Sequence, residues 1–488
     1  MLSDARRLPA GRDLEADVCI VGAGAAGIAL ALELAGSPLR VVLLESGGFE
    51  RDDATDDLAR GRIQGRHHPP LEEVRARGFG GTTSAWDGRL RPLDPIDFEA
   101  REWIPHSGWP ITARDLEPFV ARAARRFGLA EPVPAPGPEA PPALPLDAQA
   151  FVSPELWIAP VRFGERYRAD VTGARNVDAL LHASAVELVA NEAGSALVGV
   201  RVATLAGGGF AVRARAVVLA AGGIETPRLL LASNRVQTAG LGNGADLVGR
   251  YFMEHPQLVA GALLPASAEL PLGRYRPRAN AGAESMALLT PSAALLRRER
   301  VQSFAAMLAG EAALPDLERA LATSVHELEA APGAPSTRAL FLLNSCEQAP
   351  NPASRVRLAE ERDALGLPRV QLEWRLSPSD LHSLRRGHDL LARELGRAGA
   401  GRLQLMLGPG DMDWPADLVG GGHHMGTTRM HEDPRQGVVD ASCRVHGVAN
   451  LWVAGSAVFA TSGSADPTLA IVALAIRLAD QLKRELAP

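Results

Sequence analysis

Residues 16–27 read ADVCIVGAGAAG, and this stretch decides the fold. Its first six residues form an apolar run that is typical of a buried parallel strand. The glycines that follow make a G-x-G-x-x-G turn in front of a helical pattern. In such a turn Gly22 permits the sharp reversal, Gly24 lets a pyrophosphate approach the backbone, and Gly27 lets helix and strand pack closely.

The next predicted strand, RVVLL at residues 40–44, ends at Glu45. This acidic residue lies about 20 positions beyond the last glycine, where a dinucleotide-binding unit places the residue that binds the adenosine ribose. Strand, turn, helix, second strand and acid in this order predict dinucleotide binding. The pattern alone does not separate NAD from FAD, and a glycine-rich turn without a ligand remains the alternative.

Composition excludes several classes of protein. The 488 residues carry a formal net charge of -6, so no basic surface for nucleic acid is expected. The cysteines at 19, 346 and 443 form no metal or haem spacing. No run of about 18 apolar residues predicts a membrane span, and no secretory pattern follows the first residues. We therefore expect a cytoplasmic protein of two or three domains.

Two further segments have the character of a cofactor edge. Residues 77–86, RGFGGTTSAW, combine glycines with hydroxyl side chains, which suits a loop that wraps a cofactor. Strands are predicted at 183–189, 195–204 and 216–220, with a helix at 224–232. Residues 256–417 alternate apolar runs with helical stretches and predict an antiparallel sheet with covering helices.

The carboxyl-terminal region places a histidine pair, His423 and His424, between glycines that would expose the rings to a bound molecule. A metal site would need a third ligand at regular spacing, and the sequence shows none, so we predict no metal site. An imidazole near neutral pH is better suited to act as a general base. Of the other histidines, His255 has the most suggestive position, whereas His68 and the rest lie in polar or loop contexts.

Three motifs together resemble the glucose-methanol-choline (GMC) oxidoreductases: GAGAAG with its acid, GGTTSAW, and the tail HHMGTTRM…LWVAGSAV…DPT. The nearest likeness is to the bacterial sugar and glycoside dehydrogenases and pyranose oxidases. The resemblance implies an α/β fold with a discontinuous, Rossmann-like FAD-binding domain and an α+β substrate domain. We predict residues 1–90, 178–255 and 418–488 for the former, and 91–177 and 256–417 for the latter.

The resemblance also implies which residues bind non-covalent FAD. Several relatives link the flavin to a histidine, but Ala85 stands at that position here and cannot form the bond. The implied FAD-binding residues are Gly22, Gly24, Gly27, Glu45, Gly80, Gly81, Ser84, Val186, Gly455 and Ser456.

The implied reaction is oxidation of an alcohol, on a sugar, glycoside or polyol-like compound, to a carbonyl. His423 would accept the hydroxyl proton while hydride moves to flavin N5, and O2 or a separate carrier would reoxidise the flavin. Asp466 departs from the family pattern, which has Asn or His before the proline. An ionised Asp466 would oppose the charge of the reduced flavin by roughly 4 kcal/mol.

Four states of Asp466 are therefore open. It could carry a proton and act like an asparagine, pair with His423, bind a cationic substrate, or cap the helix that follows Pro467. A His423–Asp466 acid–base pair would also suit a flavin-bound lyase without net oxidation, which is our alternative function.

Overall fold

The computed structural model describes residues 1–9, 11–129, 140–280, 283–310, 338–408, 410 and 413–487. The helices within these ranges are α1 Ala25–Leu34, α2 Asp53–Asp57, α3 Ala113–Arg126, α4 Phe163–Arg166, α5 Arg168–Gly173, α6 Gly222–Ala232, α7 Ala293–Glu299, α8 Pro378–Arg397 and α9 Thr468–Glu485. The strands are β1 Leu2–Asp4, β2 Leu14–Val21, β3 Val41–Leu44, β4 Gly61–Gly65, β5 Arg89–Leu90, β6 Phe151–Val152, β7 Glu155–Ile158, β8 Val177–Leu181, β9 Ser184–Ala190, β10 Leu197–Ala203, β11 Gly209–Leu219, β12 Pro256–Pro265, β13 Arg278–Asn280, β14 Ala283–Ala287, β15 Thr290–Pro291, β16 Phe304–Ala309, β17 Leu340–Cys346, β18 Arg355–Arg362, β19 Pro368–Trp374, β20 Gly401–Leu405, β21 Val419–Gly420 and β22 Leu451–Val453.

An eight-stranded sheet carries the glycine-rich turn. Its order is β1-β8-β3-β2-β11-β10-β9, and β22 also pairs with β11. In this order, each pair of neighbours from β1 as far as β11 is parallel, and so is the β11–β22 pair. Strand β10 is antiparallel to both of its neighbours. The apolar ends of β2 and β3 are buried on both faces, as their continuous apolar runs predict.

The strand β11 is longer than its sequence predicts. We expected it to begin at Ala216, but it begins at Gly209. Its outer half contains alternating arginines that did not resemble a buried strand. One edge of this half pairs with β10 at Val200 and Val212, and the same edge pairs with β22 further on, at Val217 and Leu451. The long partner strands, not local hydrophobicity, set its length.

The predicted antiparallel sheet is present and confirms the expected fold class. It has the order β16-β17-β12-β20, with β21 pairing to β12, and all four of these pairings are antiparallel. Two smaller sheets cross the predicted domain boundaries, because β4 pairs with β19 and β5 with β7. The division of the chain into domains therefore stays a prediction.

The last helix, α9, packs against two earlier helices of the chain. α9 packs against α1 and α3, so the carboxyl terminus covers the helix that follows the glycine-rich turn. The buried face of α9 is formed by alanine, leucine, valine and isoleucine. Among the described residues, no helix combines the length and apolarity required to cross a membrane.

Candidate active site

The glycine-rich turn has the tight backbone that its sequence predicts. Gly22 has a positive φ of 104°, and a Cβ there would lie 2.7 Å from the carbonyl oxygen of Ala220. A Cβ on Gly27 would lie 1.9 Å from the carbonyl oxygen of Gly22, so helix and strand touch at this point. Gly24 differs, because a Cβ there would meet only Gly81 Cα, at 3.9 Å. Its free side is therefore open to a ligand.

The carboxylate of Glu45 fixes the same turn. One oxygen accepts a hydrogen bond from the backbone N–H of Ala23 at 2.8 Å, and the other accepts one from Gly47 at 2.9 Å. Burial raises the pKa of Glu45, and these two N–H groups counteract that effect. Oε1 also accepts from the hydroxyl of Ser46 at 3.2 Å, but Oε2 has a second lone pair, so Glu45 can still accept a hydrogen bond from a ribose hydroxyl.

The loop at 77–86 is docked onto the turn. The N–H of Gly80 donates to the carbonyl of Ala23 at 2.8 Å, and the hydroxyl of Thr83 donates to the carbonyl of Gly80 at 2.6 Å. The side of Gly80 that would carry a Cβ faces Gly164. Ser84 is exposed to solvent. The loop therefore supports a cofactor through its backbone, and its hydroxyls mostly serve its own conformation.

A cavity of about 650 Å³ lies over the turn and the loop. This volume is within the usual range for a small-molecule site. The predicted residues that line it are Gly22, Gly24, Glu45, Gly81, Val186, His423, Gly455, Ser456 and Asp466. The predicted cofactor residues outside its lining are Gly27, Gly80 and Ser84. Gly27 and Gly80 hold the backbone behind the cavity wall, so only Ser84 has no visible part in the site.

His423 lies in this cavity with both ring nitrogens near a titratable side chain. Its Nε2 is 3.6 Å from Asp466 Oδ1, and its Nδ1 is 2.9 Å from His255 Nδ1. The two imidazole planes are nearly perpendicular, at 89°. The side chains of His423 and Asp466 are 22% and 15% exposed, so both remain accessible from the cavity. Sequence segments more than 160 residues apart thus meet at one imidazole.

Two family models match the chain. A sequence model of the FAD dependent oxidoreductases matches residues 17–239, and a sequence model of the GMC oxidoreductases matches residues 350–475. The chain therefore combines an FAD dependent oxidoreductase domain with a GMC oxidoreductase carboxyl-terminal domain. It is an FAD-dependent oxidoreductase.

Individual relatives of this protein are distant. The chain is 26% identical to paromamine 6'-oxidase of Streptomyces fradiae, over 96% of this chain and 92% of that protein. It is 28% identical to the fructose dehydrogenase large subunit of Gluconobacter japonicus, over 56% of this chain, and spans about half (48%) of that protein's length. Formate oxidase of Aspergillus oryzae RIB40 has the same fold, with a TM-score of 0.62 at 17% identity and coverage of 98% and 99% of the two chains.

The residues of the cavity fit FAD. Gly24 leaves room for a phosphate against the first turn of α1, where free N–H groups favour an anion. Arg75 and Arg77, which were not predicted from the sequence, also line the cavity. Both are paired with Glu225, but Arg77 Nε is buried without a hydrogen-bond partner among the described residues. This unused donor suits an anionic cofactor group.

Asp466 does not act as a helix cap in this protein. The helix α9 begins at Thr468, its N-cap is Pro467, and no side chain caps it. The carboxylate of Asp466 lies towards His423 instead, although 3.6 Å exceeds the length of a hydrogen bond. Of the four states considered from the sequence, the geometry therefore disfavours the capping role.

Behind His423, one buried carboxylate organises the site. Glu254 Oε2 accepts hydrogen bonds from the backbone N–H groups of His423 at 2.8 Å and of His255 at 3.2 Å. Glu254 Oε1 lies 3.0 Å from His68 Nε2. Burial alone would raise the pKa of Glu254, but the hydrogen bond with His68 lowers it to about 2. Glu254 is therefore an anion that holds the backbone of His423 and of His255.

His424, the next residue after His423, also lines the cavity. Burial lowers the pKa of its imidazole to about 3, so it is neutral. Its ring stacks on His68 with centroids 5.4 Å apart. The ligand atoms of His68, Glu254 and His424 lie within 4.8 Å of one another, a spacing that could enclose a cation. A proton shared by His68 and Glu254 accounts for their contact, so we assign no metal to this cluster.

His68 lies in a loop, in keeping with the polar or loop context that its sequence suggested, but its burial was not predicted. Its side chain is fully buried against Glu254, and its Nδ1 lies 2.7 Å from the carbonyl oxygen of Pro69. Its importance comes from tertiary partners that no local pattern displays. For Glu254 and His255 a local signal did exist. These two polar residues directly follow the run YFM, at the end of the predicted segment 178–255.

Proposed function

We propose that this protein oxidises an alcohol carbon of a sugar, glycoside or polyol-like compound to a carbonyl, with His423 as the general base. The position of His423 supports this best, because its Nε2 faces the cofactor cavity while its Nδ1 and its backbone are held from behind. Two of the relatives described above are named for their action on paromamine and on fructose, which supports a carbohydrate-like substrate.

The residues of the chain perform the proton transfer and the positioning. When bound, FAD supplies the two-electron oxidation of the alcohol carbon. His423 Nε2 accepts the proton of the substrate hydroxyl and becomes an imidazolium. Asp466 is the nearest carboxylate to that nitrogen, and opposite unit charges about 4 Å apart attract by about 4 kcal/mol at an effective dielectric near 20. Their partial exposure reduces this value.

In this proposal, Asp466 therefore interacts electrostatically with His423. The attraction stabilises the imidazolium at the moment when the proton arrives, which speeds the step if it acts more strongly there than on the free enzyme. The predicted non-covalent FAD and the predicted acceptor, O2 or a separate carrier, belong to the same proposal. The lyase alternative has no support from the relatives named above, which are oxidases and a dehydrogenase.

The test is anaerobic mixing of the purified, FAD-loaded protein with sugars, glycosides, polyols and amino alcohols. We expect one class to bleach the absorbance of the oxidised flavin. The same substrate should bleach the flavin about 10²- to 10⁴-fold more slowly in His423→Gln, the range that a general base contributes. His382→Gln is the matched control, because His382 is exposed on α8. Bleaching of His423→Gln at the normal rate would exclude His423 as the base.

A further inference from the structure

We propose that His255 is a positioning residue that fixes the tautomer of His423, so that Nδ1 of His423 carries the proton and Nε2 is free to act as the base. The inference rests on the proposed function of His423. His255 does not line the cofactor cavity and has no exposed surface. It acts on the reaction only through the imidazole of His423.

The hydrogen-bond partners of His255 determine where its own proton lies. Its Nε2 faces the carbonyl oxygen of Ser462 at 3.4 Å, and a carbonyl can only accept. A proton on Nε2 satisfies this contact. Burial lowers the pKa of His255 to about 4, so the ring is neutral and carries one proton only. Its Nδ1 is then a bare acceptor.

The short contact between the two rings then determines which nitrogen of His423 carries the proton. The two Nδ1 atoms are 2.9 Å apart, which requires one proton between them. Because His255 Nδ1 accepts, His423 Nδ1 must donate. The neutral His423 then has an unprotonated Nε2, which points to the cavity and to Asp466.

The opposite arrangement is less favourable for a physical reason. It would place the proton on His255 Nδ1 and leave two lone pairs, those of His255 Nε2 and of the Ser462 carbonyl, facing each other in a fully buried position. Its compensation would be a proton on His423 Nε2 near Asp466. That contact is longer than a hydrogen bond and partly exposed, so it gains less than the buried contact loses.

Glu254 keeps the two rings in this relation. One oxygen of its carboxylate accepts the backbone N–H groups of both His255 and His423. The two side chains therefore start from backbones that are tied to a common atom. Without the acceptor on His255, the ring of His423 would be free to move its proton to Nε2 and direct it at Asp466, which would block the base.

The test compares two substitutions of His255 in the FAD-loaded protein. His255→Leu removes the acceptor, and His255→Asn replaces Nδ1 with an amide oxygen that can accept. We expect flavin reduction by substrate to slow by about tenfold or more in the leucine variant, a part of the factor of a general base. The asparagine variant should stay within about threefold of the wild type. His388→Leu controls for the loss of a buried imidazole, because His388 is fully buried and does not line the cavity.

The second readout does not depend on activity. In protein labelled with ¹⁵N-histidine, the nitrogen chemical shifts distinguish a protonated from an unprotonated ring nitrogen, and His423→Gln identifies the signals of His423. We expect Nδ1 of His423 to be protonated in the wild type and Nε2 in His255→Leu. A wild-type signal with the proton on Nε2, or an unchanged tautomer in His255→Leu, would overturn the inference.

Failure of the inference and failure of the proposed function give different results. If His423→Gln reduces its flavin at the normal rate, His423 is not the base, whatever its tautomer. If His423→Gln is inactive while His255→Leu reduces its flavin at the wild-type rate, only the role of His255 is excluded. Equal loss in the leucine and asparagine variants would also exclude it, because acceptance at Nδ1 would then not matter.

Discussion

Nε2 of His423 and Oδ1 of Asp466 are 3.6 Å apart in the wall of the cofactor cavity. At this separation the two groups interact by charge and not by a direct hydrogen bond. A substitution that removes the charge of Asp466 but preserves its shape should therefore change the protonation behaviour of the site without changing its structure.

Asp466→Asn should slow flavin reduction. An anion 3.6 Å from His423 stabilises the positive charge that the base acquires when it accepts the substrate proton, so its removal should lower the rate by about tenfold. FAD should remain bound. The measurement is anaerobic stopped-flow reduction between pH 5 and 9. Asp13→Asn is the control, since Asp13 pairs with Arg213 at the surface. A profile that coincides with the wild type would show that Asp466 does not set the charge at His423.

Gly24→Ala should block cofactor binding without unfolding the protein. A Cβ at this position meets no protein atom closer than 3.9 Å and projects into the cavity. We expect the thermal midpoint of the apoprotein to stay unchanged and the dissociation constant of FAD to rise about tenfold or more, which corresponds to about 1.4 kcal/mol. Flavin fluorescence titration measures it.

Gly396→Ala is the matched glycine substitution, because its Cβ would meet nothing within 4 Å and it lies in α8. It should leave FAD affinity unchanged and stabilise the helix slightly, by about 0.5–1 kcal/mol. An apoprotein of Gly24→Ala that binds FAD normally would disprove the placement of the phosphate against this glycine.

Acid should destabilise the protein through buried neutral histidines, and His388 is the clearest case. Burial lowers its pKa to about 4. Between that pH and about 6.5 the unfolded chain binds a proton that the folded protein does not, so the free energy of unfolding falls as the pH falls. His388→Leu removes this term. The wild type should therefore lose about 2 kcal/mol of free energy of unfolding relative to the variant when the pH falls from 7 to 5, as measured by urea unfolding.

His382→Leu provides the comparison on the same helix, where the imidazole is exposed. It measures the effect of replacing an exposed imidazole on this helix by leucine. A stability difference for His388→Leu that stays constant from pH 7 to pH 5 would mean that His388 is protonated to the same degree in the folded and unfolded states.

FAD should be released by denaturation. Ala85 lines the cavity at the position of the flavin-linking histidine in some relatives, and its methyl group cannot form a covalent bond to the ring. After precipitation with acid, the yellow flavin should stay in the supernatant, and mass spectrometry of the chain should give 51.5 kDa without an added flavin. A protein mass increased by one flavin would require a different attachment site.

Local sequence patterns were sufficient to predict the glycine-rich turn. They were not sufficient to predict the buried residues that pack behind His423. The glycines at 22, 24 and 27 and the acid at 45 act through the backbone next to them, and such constraints are visible in the sequence. His68 is different. It is buried only because Glu254, nearly two hundred residues later, pairs with it.

The same limit applies to the sheets. The polar strand β4 pairs in parallel with β19, which lies about three hundred residues further along the chain. The sequence GRIQG has no strand period of its own, so only the partner makes it a strand. The outer half of β11 was missed for the same reason, whereas the apolar strands β2 and β3 were predicted within two residues of their ends.

The pairing of β22 with β11 has a consequence for how the protein is made. During synthesis the glycine-rich turn leaves the ribosome first, but β22 and the cavity residues Gly455 and Ser456 follow more than four hundred residues later. Until they are translated, one edge of β11 has no partner along its inner half and the cavity lacks a wall. FAD can therefore be enclosed only after these residues have been made, and a translation product truncated before them should be colourless.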